Sequence, residues 1–224
     1  MRIQTKSRPR RLRSKLPRPA AALLLVALSA AAALAQQTPA GGCGAAKPPA
    51  TLSASATVSV KAAPAAPKVG DPAPDFKLPY ATAEKIFFRA EEHMSLASLR
   101  GKNVVLAFYP ADWSSGCTTE VCTFRDTFMD LGKLNAVVLG VSGDYVFSHH
   151  EWAKHHKLPF ALLSDHDHSV AKAYDSYMPE YGLNKRTIFL IDKAGVVRYA
   201  NLAFKAGDKK DYDALRAELE KLNK

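Results

Sequence analysis

Two cysteines five positions apart, Cys117 and Cys122, are the residues whose type and spacing promise chemistry. They lie in Phe108-Tyr109-Pro110-Ala111-Asp112-Trp113-Ser114-Ser115-Gly116-Cys117-Thr118-Thr119-Glu120-Val121-Cys122. An apolar strand ends at Pro110, a short loop follows, and Cys117 begins the next helix. A thiol in the first turn of a helix meets unpaired backbone N–H groups and the positive end of the helix dipole, and both favour the thiolate. An ordinary cysteine is about 3% ionised at neutral pH, and lowering its pKa to about 6 makes it mostly thiolate. That gain is roughly thirtyfold, or about 2 kcal/mol. A fast nucleophile therefore also needs donors that stabilise the charge growing on the leaving atom. Ser114, the Gly116–Cys117 backbone and an arginine from elsewhere in the chain can supply them. On residue chemistry alone a second reading stands beside this one: two small core cysteines, or a structural disulfide.

The elements that must position these residues are legible as periodicity. Strands are expected at Val104–Tyr109, Ala136–Val141, Phe160–Leu163, Thr187–Ile191 and Val196–Tyr199. The first, second and fourth are near-continuous apolar runs, as befits strands covered on both faces. Helices are expected over 116–132, 146–157, 168–175 and 210–222. The last carries Tyr212, Leu215, Leu219 and Leu222 on one stripe. Asp192-Lys193-Ala194-Gly195 closes a hairpin between the last two strands. Strands alternating with helices, then a hairpin and a terminal helix, predict an α/β sandwich with a central mixed sheet flanked by helices.

Charge and composition bound the partners. Eight of the 31 basic residues fall within residues 1–19, where there is no acid, and without them the net charge drops from +10 to +2. A basic chain of that kind gives no support to nucleic-acid binding. An apolar run of 16 residues follows, Ala20–Ala35, too short to span a bilayer as a helix, which takes roughly 20. It closes on Ala33-Leu34-Ala35 before Gln36-Gln37. Basic start, short apolar middle and small-x-small end together read as a secretory signal over 1–35, so export to the periplasm or cell envelope is expected, with membrane contact only through the leader. Arg10-Arg11 is a weak twin-arginine signal. Residues 36–67, rich in Ala, Pro, Gly, Ser and Thr, read as a disordered linker. Cys43, within it, lacks the adjoining apolar run of a lipidation site. One domain remains, 68–224, holding only Cys117 and Cys122, and a single close pair in an exported protein is no disulfide scaffold.

Pro110-x-x-x-Ser114-x-x-Cys117 resembles the active-site motif of the peroxiredoxins, with Ser where Thr is commoner. Gly116-Cys117-Thr118-Thr119-Glu120-Val121-Cys122-Thr123-Phe124-Arg125-Asp126 is similar to the bacterioferritin-comigratory, or PrxQ, branch. The resemblance covers about 68–205 and includes Val69-Gly70-Asp71-Pro72-Ala73-Pro74-Asp75-Phe76, Ser148-His149-His150-Glu151-Trp152 and Leu162-Leu163-Ser164-Asp165. It extends to Lys185-Arg186-Thr187-Ile188-Phe189-Leu190-Ile191-Asp192. It implies a thioredoxin-like fold and a thiol-dependent peroxidase acting on hydrogen peroxide and organic hydroperoxides without a cofactor. It also implies Cys117 as peroxidatic nucleophile, Ser114 as the hydroxyl that hydrogen-bonds the peroxide, Pro110 as the shield of the pocket and Arg186 as the polarising cation. Glu120 would orient that arginine, and Cys122 would resolve the sulfenic acid into an intramolecular disulfide, which a thioredoxin-like or other dithiol then reduces. A monomer or weak dimer is expected. Two departures bear on substrate preference: Trp113 is bulky for its place, and Tyr80–His93 looks longer or more irregular than a simple β-hairpin.

Other signals point elsewhere. His149, His150, His155 and His156, with Asp165-His166-Asp167-His168, form no closed ligand set and read as a solvated, imidazole-rich surface rather than a metal site. Trp152 reads as a core residue in preference to a wall of the active site. A copper chaperone of thioredoxin fold would carry Cys-x-x-x-Cys, and a disulfide oxidoreductase Cys-x-x-Cys; neither spacing is present. Export makes a simple prediction: protein from the host's envelope fraction begins at Gln36 by mass spectrometry. An intact Met1 would refute cleavage, and an acylated Cys43 at the N-terminus would establish a lipoprotein.

Overall fold

Four strands with scarcely a polar residue form the centre of the molecule, and their alternation shows why. In β3 (Asn103–Phe108), Val105 and Ala107 point to one face of the sheet while Val104, Leu106 and Phe108 point to the other, and all five are buried. The same division runs through β4 (Ala136–Ser142), β5 (Ala161–Ser164) and β6 (Thr187–Ile191). Two buried faces require two covering layers. With β1 (Tyr80–Ala81), β2 (Ile86–Phe87) and β7 (Val197–Asn201), these strands make a seven-stranded sheet of order β7-β6-β3-β4-β5-β1-β2. β3, β4 and β5 run parallel; the remaining pairings are antiparallel, so the sheet is mixed.

Helices α1 (Ser115–Lys133), α2 (Val146–His156) and α4 (Lys209–Lys221) supply one layer, through Val121, Phe124, Trp152, Leu215 and Leu219. The other layer combines α3 (Ser169–Ala173) with the N-terminal segment, through Val170, Phe76, Leu78 and Leu96. Every expected helix and strand is present, with ends displaced by one or two residues. The hairpin after β6 closes as anticipated, Asp192 donating its N–H to Val196 at 2.9 Å around Gly195 at φ 81°. The result is the predicted α/β, thioredoxin-like sandwich.

The computed structural model describes residues 65–224, the side chains of 128–130 excepted. The leader at 1–35, Cys43 and the linker up to residue 64 lie outside the described residues; of the rest of the linker reading, Pro67 is buried. Among the described residues no helix is long and apolar enough to cross a membrane. Tyr80–His93 is longer than a simple hairpin, as expected: a tight turn in which the Thr82 N–H donates to the Lys85 carbonyl at 2.9 Å is followed by a single 3₁₀ turn at Ala90–Glu92. The two-residue strands were too short to leave a periodic signal.

The terminal helix closes the core with Leu219, which is wholly buried. Leu219→Ala is expected to lower stability by about 2–5 kcal/mol, the range for truncating a buried leucine, read as a fall in urea midpoint.

Candidate active site

β3 delivers the chain to the site, and its pairing with β6 delivers the cation. Thr187 stands opposite Phe108, so Arg186 comes to lie beside the Tyr109–Pro110 exit of β3. From there the loop 110–114 turns into α1, with Trp113 in the left-handed region at φ 62° and Ser114 as N-cap. The first intrahelical bond runs from the Thr118 N–H to the Ser114 carbonyl at 2.9 Å. The N–H groups of Ser115, Gly116 and Cys117 therefore have no partner within the helix. Cys117 is third in α1, unpaired as a thiol and fully buried.

Arg186 aims Nη2 at Cys117 Sγ, 3.4 Å away, and pairs through Nη1 with Glu120 Oε2. Gly116 leaves room for that approach: a Cβ there would stand 3.2 Å from Nη2 and push the guanidinium back by a few tenths of an ångström. Guanidinium and helix terminus thus converge on the sulfur, and both stabilise negative charge there. Glu120 is also fully buried, and its second oxygen meets no donor among the described residues. Burial pushes its carboxyl up to about 7, against the downward pull of Arg186. Burial disfavours charge on Arg186 too, but Glu120 and Cys117 outweigh it and hold its pKa above the usual value.

Ser114 is exposed, and its hydroxyl donates to the Ala111 carbonyl at 3.1 Å. Pro110 is half-buried at the strand exit. Cys122 is half-buried on α1 with its Sγ 3.8 Å from His156 Nδ1. The structure thus brings Cys117, Glu120 and Arg186 into direct contact, with Ser114 and Pro110 along the intervening loop and Cys122 on the same helix but further along.

The histidine cluster is only in part the solvated surface expected of it: His155 and His166 are exposed, His150, His156 and His168 half-buried. His149 is wholly buried, with Nδ1 2.9 Å from Asp112 Oδ2 and Nε2 3.2 Å from the Leu163 carbonyl. Asp112 also accepts from Tyr109 at 2.8 Å and Ser148 at 2.7 Å, and its N–H donates to Asp144 at 2.9 Å. This network pins the loop 110–114 from below. Its signal was present: His149, Trp152, Ala153 and His156 share one face of α2 at helical spacing. Trp152 is core, as expected. Trp113 lies half outside the protein, donating Nε1 to Ser148 at 3.3 Å and resting its ring near His155 and His156.

The AhpC/TSA family model matches residues 69–200. The chain belongs to the AhpC/TSA family. It is 39% identical over 134 residues to the peroxiredoxin Bcp of Bacillus subtilis, a match covering 57% of this chain and 80% of that one. To the chloroplastic peroxiredoxin Q of Triticum aestivum it is 45% identical over 107 residues, covering 47% and 49% of the two chains. Among solved structures, the peroxidoxin BcpB of Mycobacterium tuberculosis matches with a TM-score of 0.61 and 29% identity, over 70% of this chain and 99% of that one. The protein is accordingly a peroxiredoxin of the Bcp and peroxiredoxin Q type, a thiol peroxidase.

The raised Glu120 sets a pH dependence. Its carboxyl titrates near 4.5 when unperturbed and at about 7 in the fold. The folded peroxiredoxin then binds the extra proton between those values, and stability falls as pH rises through that window. Glu120→Gln cannot ionise, so the wild type should lose stability relative to this variant between pH 4.5 and 7 in urea unfolding. A constant difference would mean that the fold leaves the Glu120 carboxyl at its ordinary value.

Proposed function

We propose that this peroxidase reduces hydrogen peroxide and organic hydroperoxides at Cys117 and regenerates through a Cys117–Cys122 disulfide, in antioxidant defence of the cell envelope. The observation that carries this reading is the convergence of Arg186 and the α1 N-terminus on the buried Cys117 sulfur. The thiolate attacks one peroxide oxygen, the O–O bond breaks, and the second oxygen leaves with a proton as water or an alcohol. Cys117 becomes sulfenic acid. Arg186 holds charge at the attacking sulfur and at the departing oxygen, and Glu120 holds Arg186. The Ser114 hydroxyl hydrogen is occupied by Ala111, so its oxygen accepts from the peroxide O–H. Pro110 shields the sulfur from water.

The second half is constrained by helix geometry. Five residues along one α-helix separate the two Cα atoms by about 7.5 Å of rise and about 140° of rotation, roughly 8–9 Å overall. A disulfide requires less than about 7 Å. The first turns of α1 must therefore unwind before Cys122 displaces hydroxide from the sulfenic acid, and local opening of a helix end costs far less than global unfolding. A thioredoxin-like or other dithiol reductant then restores both thiols. The signal-like leader supports export, which places the need for that reductant beyond the membrane.

Cys117→Ser is expected to lose essentially all peroxidase activity; retention of more than a few per cent would sink the assignment. Arg186→Ala should slow reaction with peroxide by about one to three orders of magnitude with the fold intact. Unchanged kinetics would remove Arg186 from the site. Cys122→Ser should consume about one equivalent of peroxide and then stall or depend on external thiol. In the oxidised wild type, amides 116–124 should exchange faster than in the reduced form, and the disulfide should join residues of one chain. Unaltered protection, or a disulfide mainly between chains, would count against the unwinding mechanism.

A further inference from the structure

Cys122 faces a histidine that the peroxidatic site does not use. Its Sγ lies 3.8 Å from Nδ1 of His156, the last residue of α2. The ring is boxed by aromatic neighbours: Trp152 at 5.9 Å and perpendicular, His155 at 4.7 Å and Trp113 at 6.3 Å between centroids. The backbone beneath it is held as well, because Arg125 Nη1 donates to the His156 carbonyl at 2.9 Å while its Nε pairs with Asp126. Arg125 stands one turn beyond Cys122 on α1. The helix is therefore clamped to the end of α2 just past the resolving cysteine, with the imidazole pressed against the thiol.

We propose that His156 is the catalytic base of the resolving half-reaction, taking the Cys122 proton and returning it to the hydroxide expelled from Cys117. The proposal rests on reading Cys117 and Cys122 as the peroxidatic and resolving pair. Nδ1 accepts the proton of the Cys122 S–H. The thiolate sulfur attacks the Cys117 sulfenic sulfur, the S–O bond breaks, and hydroxide leaves with its electron pair. The imidazolium protonates that hydroxide, giving one disulfide and one water. Cys122 is oxidised as Cys117 is reduced, and no outside electron source enters.

The surroundings suit a base rather than a resident cation. Facing the ring are Cys122 and Arg125 from α1, His155 and Trp152 from its own helix, and Trp113 from the active-site loop. Burial, then the charges of His155 and Arg125, lower the His156 pKa from its usual value, so the ring is neutral and able to accept at neutral pH. An unassisted thiol is about 3% ionised at pH 7, and an imidazole that takes the proton as the sulfur attacks lets the un-ionised remainder react, a gain of up to about thirtyfold. The Arg125 clamp gives the step a direction. Unwinding is confined to the N-terminal side of Cys122, so the sulfenic acid travels to Cys122 and its base, and the base stays in place.

Rapid mixing of the reduced full chain with one equivalent of hydrogen peroxide separates the half-reactions, with sulfenic acid and disulfide quantified in quenched samples. In the wild type, disulfide formation should be nearly independent of pH between 7 and 8; a tenfold rise per pH unit overturns the proposal without any variant. In His156→Gln, sulfenic acid should form at the wild-type rate while disulfide formation slows tenfold or more at pH 7. That deficit should shrink towards the ordinary thiol pKa of about 8.5. In His156→Ala, added imidazole should restore the disulfide rate. A variant rate within twofold of wild type overturns the proposal, as does an equal slowing at every pH that imidazole does not relieve, since the ring is then only a spacer. Failure of the wild type to form any sulfenic acid would instead remove the underlying reading of Cys117.

Discussion

The approach of the Arg186 guanidinium to the Cys117 sulfur is the contact on which the rest of the structure depends. The partners are 69 residues apart in sequence, so no local preference brings them together. The register of β6 against β3 does so, and a slip of one residue would turn every β6 side chain to the opposite face. Hydrophobic burial on both faces forbids that slip, because Ile188 and Leu190 belong to one core and Phe189 and Ile191 to the other. The cation beside the sulfur is thus located by apolar packing that does not touch it. Glu120 completes the arrangement, a buried carboxyl whose charge is opposed by burial and only partly offset by the same guanidinium.

α1 is asked for two opposed properties. Its N-terminus must be well formed to stabilise an anionic sulfur, yet the mechanism proposed above requires the turns between Cys117 and Cys122 to come apart in every cycle. The side chains divide accordingly. Thr119 and Thr123 turn their hydroxyls back onto the carbonyls of Ser115 and Thr119, bonding that slightly weakens a helix. Further along, Phe124 and Leu131 are buried in the core, and Arg125 ties the helix to the end of α2.

The loop 110–114 carries strain in the left-handed Trp113 and gains its rigidity from beneath. Asp112 accepts from Tyr109, Ser148 and His149, which come from the β3 exit and from α2, and receives no help from its neighbours in the loop. The exposed N-cap Ser114 follows two places after the residue that this buried network holds.

Much of this was legible in the chain itself. Apolar runs at 104–109, 136–141 and 187–191, the stripe at Tyr212, Leu215, Leu219 and Leu222, and the Asp192–Gly195 turn determine the sandwich, because burial and periodicity are local properties of a sequence. The placing of Cys117 at a helix start, five residues before Cys122, also follows from the order of residues, and the motif around Pro110, Ser114 and Arg186 points to the same chemistry. Tertiary structure alone decided which polar residues are buried and whom they meet. His149 and His156 sit in a histidine-rich stretch that reads as a solvated surface, yet one anchors the active-site loop and the other touches the Cys122 thiol. Burial of a polar side chain depends on what the rest of the chain packs against it, and that information is spread over strands and helices far apart in sequence.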